Sequence, residues 1–238
     1  DTFGVNEVQI SIKNIIDTQY WNGSVWGAIE SWLSVTGTSN WTYSSPSLAS
    51  GKQYLVRSKA KDNAGNWETA GTGNSFTFDN IAPTTALVLH INGVTYNSLP
   101  QITGTATDAT AGVSLVQVSI KNVTDTTYWT GGAWGGTETW VDSTGTNNWT
   151  YNNPGWISGK TYLVRSRGID AAGNTETAGA GNSFIFDNVA PTSSITYPTN
   201  GALLNALATI SGTSSDATSG VNNVKIYINN ITDAVYWN

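Results

Sequence analysis

The tryptophans of this chain recur at a fixed interval. Trp21, Trp129 and Trp237 stand 108 residues apart, and Gly4, Gly112 and Gly220 share that interval without a gap. The same offset carries Trp26 onto Trp134, Trp32 onto Trp140, Trp41 onto Trp149, Tyr54 onto Tyr162, Asp79 onto Asp187 and Pro83 onto Pro191. Solenoid units are about 20 to 50 residues long, so a period of this length means tandem whole domains. The segments "FDNIAPT" (78–84) and "FDNVAPT" (186–192) put a proline after a polar turn and before a new apolar run, which marks the seams. Three modules follow: 1–81, lacking its opening strands; 82–189, complete; and 190–238, holding opening strands only. The chain has no initiator methionine and starts inside a module, so a window on a longer, processed array is expected.

Within a module the apolar period is two. In "VQVSIK", Val116, Val118 and Ile120 share one face and Gln117, Ser119 and Lys121 the other; Val8, Ile10, Ile12 and Val224, Ile226, Ile228 repeat the pattern. "YLVRSKAKD" alternates likewise, with Tyr54, Val56, Ser58 and Ala60 facing inward, and Phe76 and Phe78 mark a further strand. About seven such runs separated by Gly, Asn and Asp predict a two-layer antiparallel sandwich and no helix. "SGKQY" and "SGKTY" read as entries to a tyrosine corner, in which the hydroxyls of Tyr54 and Tyr162 bind nearby backbone.

Composition removes several functions. Only 11% of residues are charged, the net charge is −6 and no Lys/Arg cluster exists, so a nucleic-acid phosphate backbone is not the expected partner. The longest apolar run, near "ALVLHI", is far short of the roughly 20 residues of a spanning helix, so membrane insertion is not expected. Zero cysteine excludes disulfides and thiol chemistry without fixing the compartment. His90 is the single histidine, with Pro198 at its repeat position, and one histidine without a repeat counterpart is an ordinary strand residue rather than a catalytic base. The acidic residues recur in turns from module to module, and an active site has no reason to be copied in that way, so no enzyme activity is expected.

The run "YWNG…W…W…NWTY…GKQYLVRSKAKDNAGNWE…FDNIAPT" resembles the bacterial Ig-like repeats, related in shape to fibronectin type III, of large secreted surface proteins and adhesins. The loops "DNAGNWE" and "DAAGNTE" carry the resemblance best. It implies an all-β fold of tandem immunoglobulin-like antiparallel β-sandwich modules, extracellular or on a prokaryotic cell surface. The implied role is that of stalk, filament or adhesin body, with adjacent modules of a longer chain as partners; self-association into a fibre is expected separately, from the outward tryptophan rings. A carbohydrate-binding module, or an accessory segment of a secreted glycosidase with a glycan ligand, is the alternative.

Two sets of residues are candidates for a site. Asp62, Asn66 and Glu68, repeated as Asp170, Asn174 and Glu176, offer the hard oxygen ligands that Ca²⁺ takes. In a head-to-tail array the second set would approach Asp79 and Asn80 of the linker and Asp108 of "TATDATAG", where cadherin-like arrays stiffen their junctions with calcium. The competing reading is that these groups satisfy backbone donors in tight turns. The second set is aromatic. Trp21 and Trp26 flank "NGSV", a hairpin turn, and can meet across strands; Trp129 and Trp134 repeat them, and Trp32 and Trp140 follow. Tyr20 and Trp21 point to opposite faces, so one ring per hairpin either packs under a neighbour or joins a contact strip for self-association or sugar stacking. Trp67 becomes Thr175 and Leu48 becomes Trp156, so neither ring is essential to the fold. Sequons at Asn22, Asn40, Asn122, Asn148 and Asn230 are candidate glycosylation sites.

Overall fold

The computed structural model describes residues 4–88 and 92–237, which leaves His90 outside the described residues. Among those described, every regular element is a strand. The chain divides into two compact units. One is formed by Asp1–Thr84, Thr107–Ser114 and Gly168–Glu176, the other by Thr85–Ala106, Leu115–Arg167 and Thr177–Asn238.

The first repeat builds one sheet. Its strands are β1 (Val5–Asn14), β2 (Gln19–Trp21), β3 (Trp26–Gly27), β4 (Leu33–Ser34), β5 (Lys52–Asp62) and β6 (Asn74–Phe78), in the order β3-β2-β1-β5-β6 with β4 on β1. β1 pairs with β5 along nearly its whole length, Ser11 opposite Arg57, because both carry period-two patterns long enough to pair. Val8, Ile10 and Ile12 are buried as the alternation predicts.

The second repeat builds two sheets. Its strands are β7 (Thr84–Leu87), β8 (Val94–Tyr96), β9 (Gln101–Thr107), β10 (Val113–Asn122), β11 (Thr127–Trp129), β12 (Trp134–Gly135), β13 (Val141–Asp142), β14 (Asn148–Asn152), β15 (Lys160–Asp170) and β16 (Asn182–Phe186). One sheet runs β14-β9-β7; the other runs β12-β11-β10-β15-β16-β8, with β13 on β10. The opening run is thus shared: β7 lies in the small sheet, while β8 runs parallel to β16 in the large one. Ile102 and Trp149 from the small sheet and Val116, Val118, Ile120, Tyr162, Val164 and Phe184 from the large one are fully buried. This is a two-layer sandwich with its core between the sheets. Trp149 lies directly over Gly104, where any Cβ would run into the indole, and its Nε1 donates to the Thr105 carbonyl at 3.1 Å.

Both tyrosine corners form: the Tyr54 hydroxyl accepts from Ala49 N–H and that of Tyr162 from Ile157 N–H, each at 2.9 Å. Burial pushes the Tyr162 phenol above its ordinary pKa. Along β15 every second residue from Tyr162 to Asp170 is buried. β5 differs from expectation here, with Ser58 exposed and Val56 only half-buried, because no second sheet covers the first repeat among the described residues. The third repeat contributes two hairpins, β17 (Thr192–Tyr197) with β18 (Ser211–Ser215) and β19 (Ile228–Asn230) with β20 (Val235–Trp237), both largely exposed.

Candidate functional site

The linker after β6 is tied down by one carboxylate. Asp79 Oδ1 accepts from the Ser50 hydroxyl at 2.8 Å and from Ile81 N–H at 3.1 Å, and Oδ2 accepts from Ala111 N–H at 3.0 Å. Ser50 stands just before β5 and Ala111 just before β10, so a single side chain joins the end of one repeat to the loop that opens the next strand of the following one. Asp108 holds that loop by accepting from Thr110 N–H at 3.0 Å and Gly112 N–H at 2.8 Å. Asp170 accepts from the backbone and side chain of Asn174 at 2.8 and 2.7 Å, and the same amide group donates to the Asp79 carbonyl at 3.2 Å. These donors hold the Asp79 carboxyl below its usual range, the Ile81 amide first and Ser50 next.

The Asp79 and Asp108 parts recur 108 residues later as Asp187 and Asp216. Asp187 accepts from the Ser158 hydroxyl at 2.9 Å, Val189 N–H at 3.1 Å and Ser219 N–H at 3.1 Å. Asp216 accepts from Thr218 N–H at 3.0 Å and Gly220 N–H at 2.9 Å. Hydrogen bonds, from Ser219 foremost and then Ser158, again lower the Asp187 carboxyl. Gly51 and Gly159 each lead into the tyrosine-bearing strand with φ of +79° and +80°, a backbone conformation that favours glycine.

Of the expected calcium ligands, the structure gathers Asp79, Asp108 and Asp170, whose oxygens lie within 4.8 Å of one another. Asn174 bridges two of them. Glu176 instead accepts from Gly168 N–H at 2.8 Å, as Glu68 accepts from Ala60 N–H at 3.0 Å, so these glutamates act as local backbone braces. Asn80 is exposed, and its N–H donates to Ser50. In the first repeat Asp62 and Asn66 form the same local pair as Asp170 and Asn174. Like charges 4 Å apart repel by about 1 kcal/mol in water and about 4 kcal/mol at an effective dielectric of 20. Seven hydrogen bonds from the surrounding N–H and O–H groups offset that repulsion.

The tryptophans are braced from within their own repeats. Trp21 meets Trp26 across β2 and β3 at 5.6 Å, Trp26 meets Tyr54 at 5.6 Å, and Trp21 Nε1 donates to the Tyr43 hydroxyl at 3.1 Å. Trp129, Trp134, Tyr162 and Tyr151 repeat the arrangement. Trp32 lies against Arg57 and Lys59, and Trp140 against Arg165 and Arg167; the nearer cation is 4.4 Å from the ring centre in both. All six expected contact rings are half-buried. The ring that sequence reasoning set aside, Trp67, is 41% exposed, with Lys59 4.7 Å from its centre. Its signal was the run of alternating lysines opposite it in β5.

Among the sequons, Asn22, Asn40, Asn148 and Asn230 are exposed. Asn122 corrects the expectation: it is 2% exposed and its amide donates to Asp125 at 2.9 Å, which leaves no room for a glycan.

Residues 191–236 match the family model of a bacterial Ig domain. The resemblance to bacterial Ig-like repeats read from the sequence is therefore borne out, and the 108-residue period relates that segment to the others. No curated protein matches the chain. Among solved structures it is similar to the fibronectin(III)-like modules of Clostridium thermocellum CbhA, at 14% identity and a TM-score of 0.37 over 79% of this chain and 80% of that one. It is also similar to the FN1–FN3 domains of chicken CNTN1, at 12% identity and a TM-score of 0.30 over 80% of this chain and 62% of that one. At such TM-scores neither likeness bears on function.

Proposed function

We propose that the chain is part of a non-catalytic array of Ig-like modules in an extracellular or surface-exposed bacterial protein, with modules at 1–81, 82–189 and 190–238 and a stalk, filament or adhesin body as their role. One observation carries this reading: the Ser50–Asp79–Ala111 tie recurs as Ser158–Asp187–Ser219. A protein that needs each module to meet the next in a fixed way benefits from copying the junction along with the module. The direct test is immunogold labelling of intact source cells with antibody to this chain. Label strung along surface fibres supports the reading; label confined to the cell interior overturns it.

The gathering of Asp79, Asp108 and Asp170 favours a second reading, in which Ca²⁺ stiffens the junction with Asn174 nearby. Under that reading calcium raises Tm, chelator reverses the rise, and Asp108→Asn removes it. An unchanged Tm at millimolar calcium leaves the junction to hydrogen bonds alone. The carbohydrate-binding alternative takes Trp21, Trp26, Trp32 or Trp134 as stacking platforms, and a glycan array with Trp32→Ala as control tests it.

A further inference from the structure

The outward face of β5 carries Arg57, Lys59 and Lys61, three cations gathered by strand alternation rather than by adjacency in the sequence. Two indoles share that face. Lys59 Nζ lies 4.4 Å from the centre of Trp32 and 4.7 Å from that of Trp67, and Lys61 Nζ lies 5.6 Å from Trp67. Arg57 is occupied by Glu30 at 3.2 Å, and Glu7, which stands opposite Lys61, accepts from Gln9 at 2.8 Å and Ser34 at 3.0 Å. Among the described residues neither Lys59 nor Lys61 forms an ion pair. Two ammonium groups are thus held against aromatic rings with donors to spare.

The second repeat keeps half of this arrangement. Arg165 and Arg167 lie against Trp140, but Arg167 is taken up by Gln117 Oε1 at 2.9 and 2.7 Å, Ile169 replaces Lys61 and Thr175 replaces Trp67. Thr175 is exposed in a repeat that follows another in the chain, so this corner of a module stays at the surface inside an array. β5 is paired with β1 from Asp62 to Tyr54, and Lys61 bridges to Trp67. The face therefore offers rings and ammonium groups rather than a bare strand edge, which favours a ligand recognised through side chains over an added peptide strand.

We propose that Trp32, Lys59, Lys61 and Trp67 bind an acidic polysaccharide whose pyranose rings carry carboxylates, a uronic acid polymer. The C–H face of a pyranose is electropositive and stacks on the negative face of an indole, and Trp67 is open enough to receive it. A carboxylate at the edge of that sugar then reaches the ammonium lying between the two indoles and accepts charge-assisted hydrogen bonds. The chain carries a net charge of −6, so most of its surface repels a polyanion, and the attractive spot is the one where cations lack anionic partners. Two such ammonium groups suit a polymer with one charge per ring better than a multiply sulfated one. The inference rests on the carbohydrate-binding alternative and deepens it, naming the ligand class and adding Trp67 to the platform.

Affinity electrophoresis of the 238-residue chain through gels containing polygalacturonate, alginate or hyaluronate tests it, with chelator present so that the acidic junction holds no metal. At least one of the three is expected to retard the wild type, less so as salt rises. Trp67→Thr and Lys59→Gln are each expected to weaken the retardation about tenfold or more, the loss that follows removal of a central interface contact. Threonine is what the second repeat places at that position, so the first variant keeps its fold. No retardation by any of the three polymers, retardation unchanged in Trp67→Thr, or equal retardation by polyglutamate, which has the charge without the sugar, overturns the site. Equal retardation by methyl-esterified polygalacturonate overturns the acidic class while sustaining the carbohydrate reading, so the two failures are distinguishable.

Discussion

The first and second repeats carry almost the same strand sequences and solve different packing problems. Phe184 is 1% exposed between the sheets of the second repeat, whereas its counterpart Phe76 is 42% exposed. The same contrast separates Val164 from Val56 and Trp149 from Trp41. The hairpin rings, the tyrosine corner and the linker carboxylate, in contrast, are alike in both. The large sheet and its braces are therefore local properties of residues within a single repeat, and the small sheet is what converts a sheet into a core.

That contrast can be broken most readily at the paired tryptophans. Trp149→Ala is expected to cost the second repeat about 3–5 kcal/mol, the range for deleting a large buried side chain. Trp41→Ala in the dilute chain is expected to cost about 1 kcal/mol or less, as at other exposed positions. Amide exchange along β10 and β1 reads the two losses separately, and equal losses would remove the distinction. The tyrosine corners should behave oppositely. Tyr162→Phe and Tyr54→Phe each strand one backbone N–H and are expected to cost about 1–3 kcal/mol in their own repeat, with the two values close to each other.

A smaller effect comes from acid. The carboxyls of Asp79 and Asp187 lie below their usual values because the folded state supplies hydrogen-bond donors. Their stabilisation is complete above the unfolded carboxylate pKa, about 3.9, and drains away as pH falls through the lower folded values. Tm is therefore expected to be flat from neutral pH down to about pH 4 and to fall below it, and Asp79→Asn flattens that fall for the first junction only. The smallest effect is at the surface pairs Lys52–Asp17 and Lys160–Asp125, both 2.7 Å long and partly exposed. Lys160→Ala and Lys52→Ala should each change stability by about 1 kcal/mol or less, the span for such ion pairs.

Much of this fold is legible in the residues themselves. Alternation in "VQVSIK" and "YLVRSRGID" gives β10 and β15, and "SGKTY" gives the corner, because those features are set by neighbours a few residues away. Asp79, Asp108 and Asp170 could be placed together because the repeat says which loops share a pole. What the sequence hides is long-range. Nothing in Glu176 distinguishes a metal ligand from a brace for Gly168, since that choice depends on where its own strand turns. Asn122 matches a sequon as well as Asn148 does, and only the bend toward Asp125 buries it. The bare edge at 40–44 agrees with a first module that lacks its opening strands, but its own residues do not reveal it: their sequence is that of a strand, and whether they form one depends on a partner far away in the chain.

The central claim is that the small sheet β14-β9-β7 is what turns the large sheet of a repeat into a covered core. Backbone amide exchange at Trp41 and Tyr43, set against Trp149 and Tyr151 in the same sample, tests it most directly. In the dilute chain, strong protection at Trp149 and Tyr151, whose strand pairs with β9, is expected beside near-unprotected Trp41 and Tyr43. Equal protection of all four amides in the dilute monomer would contradict the account.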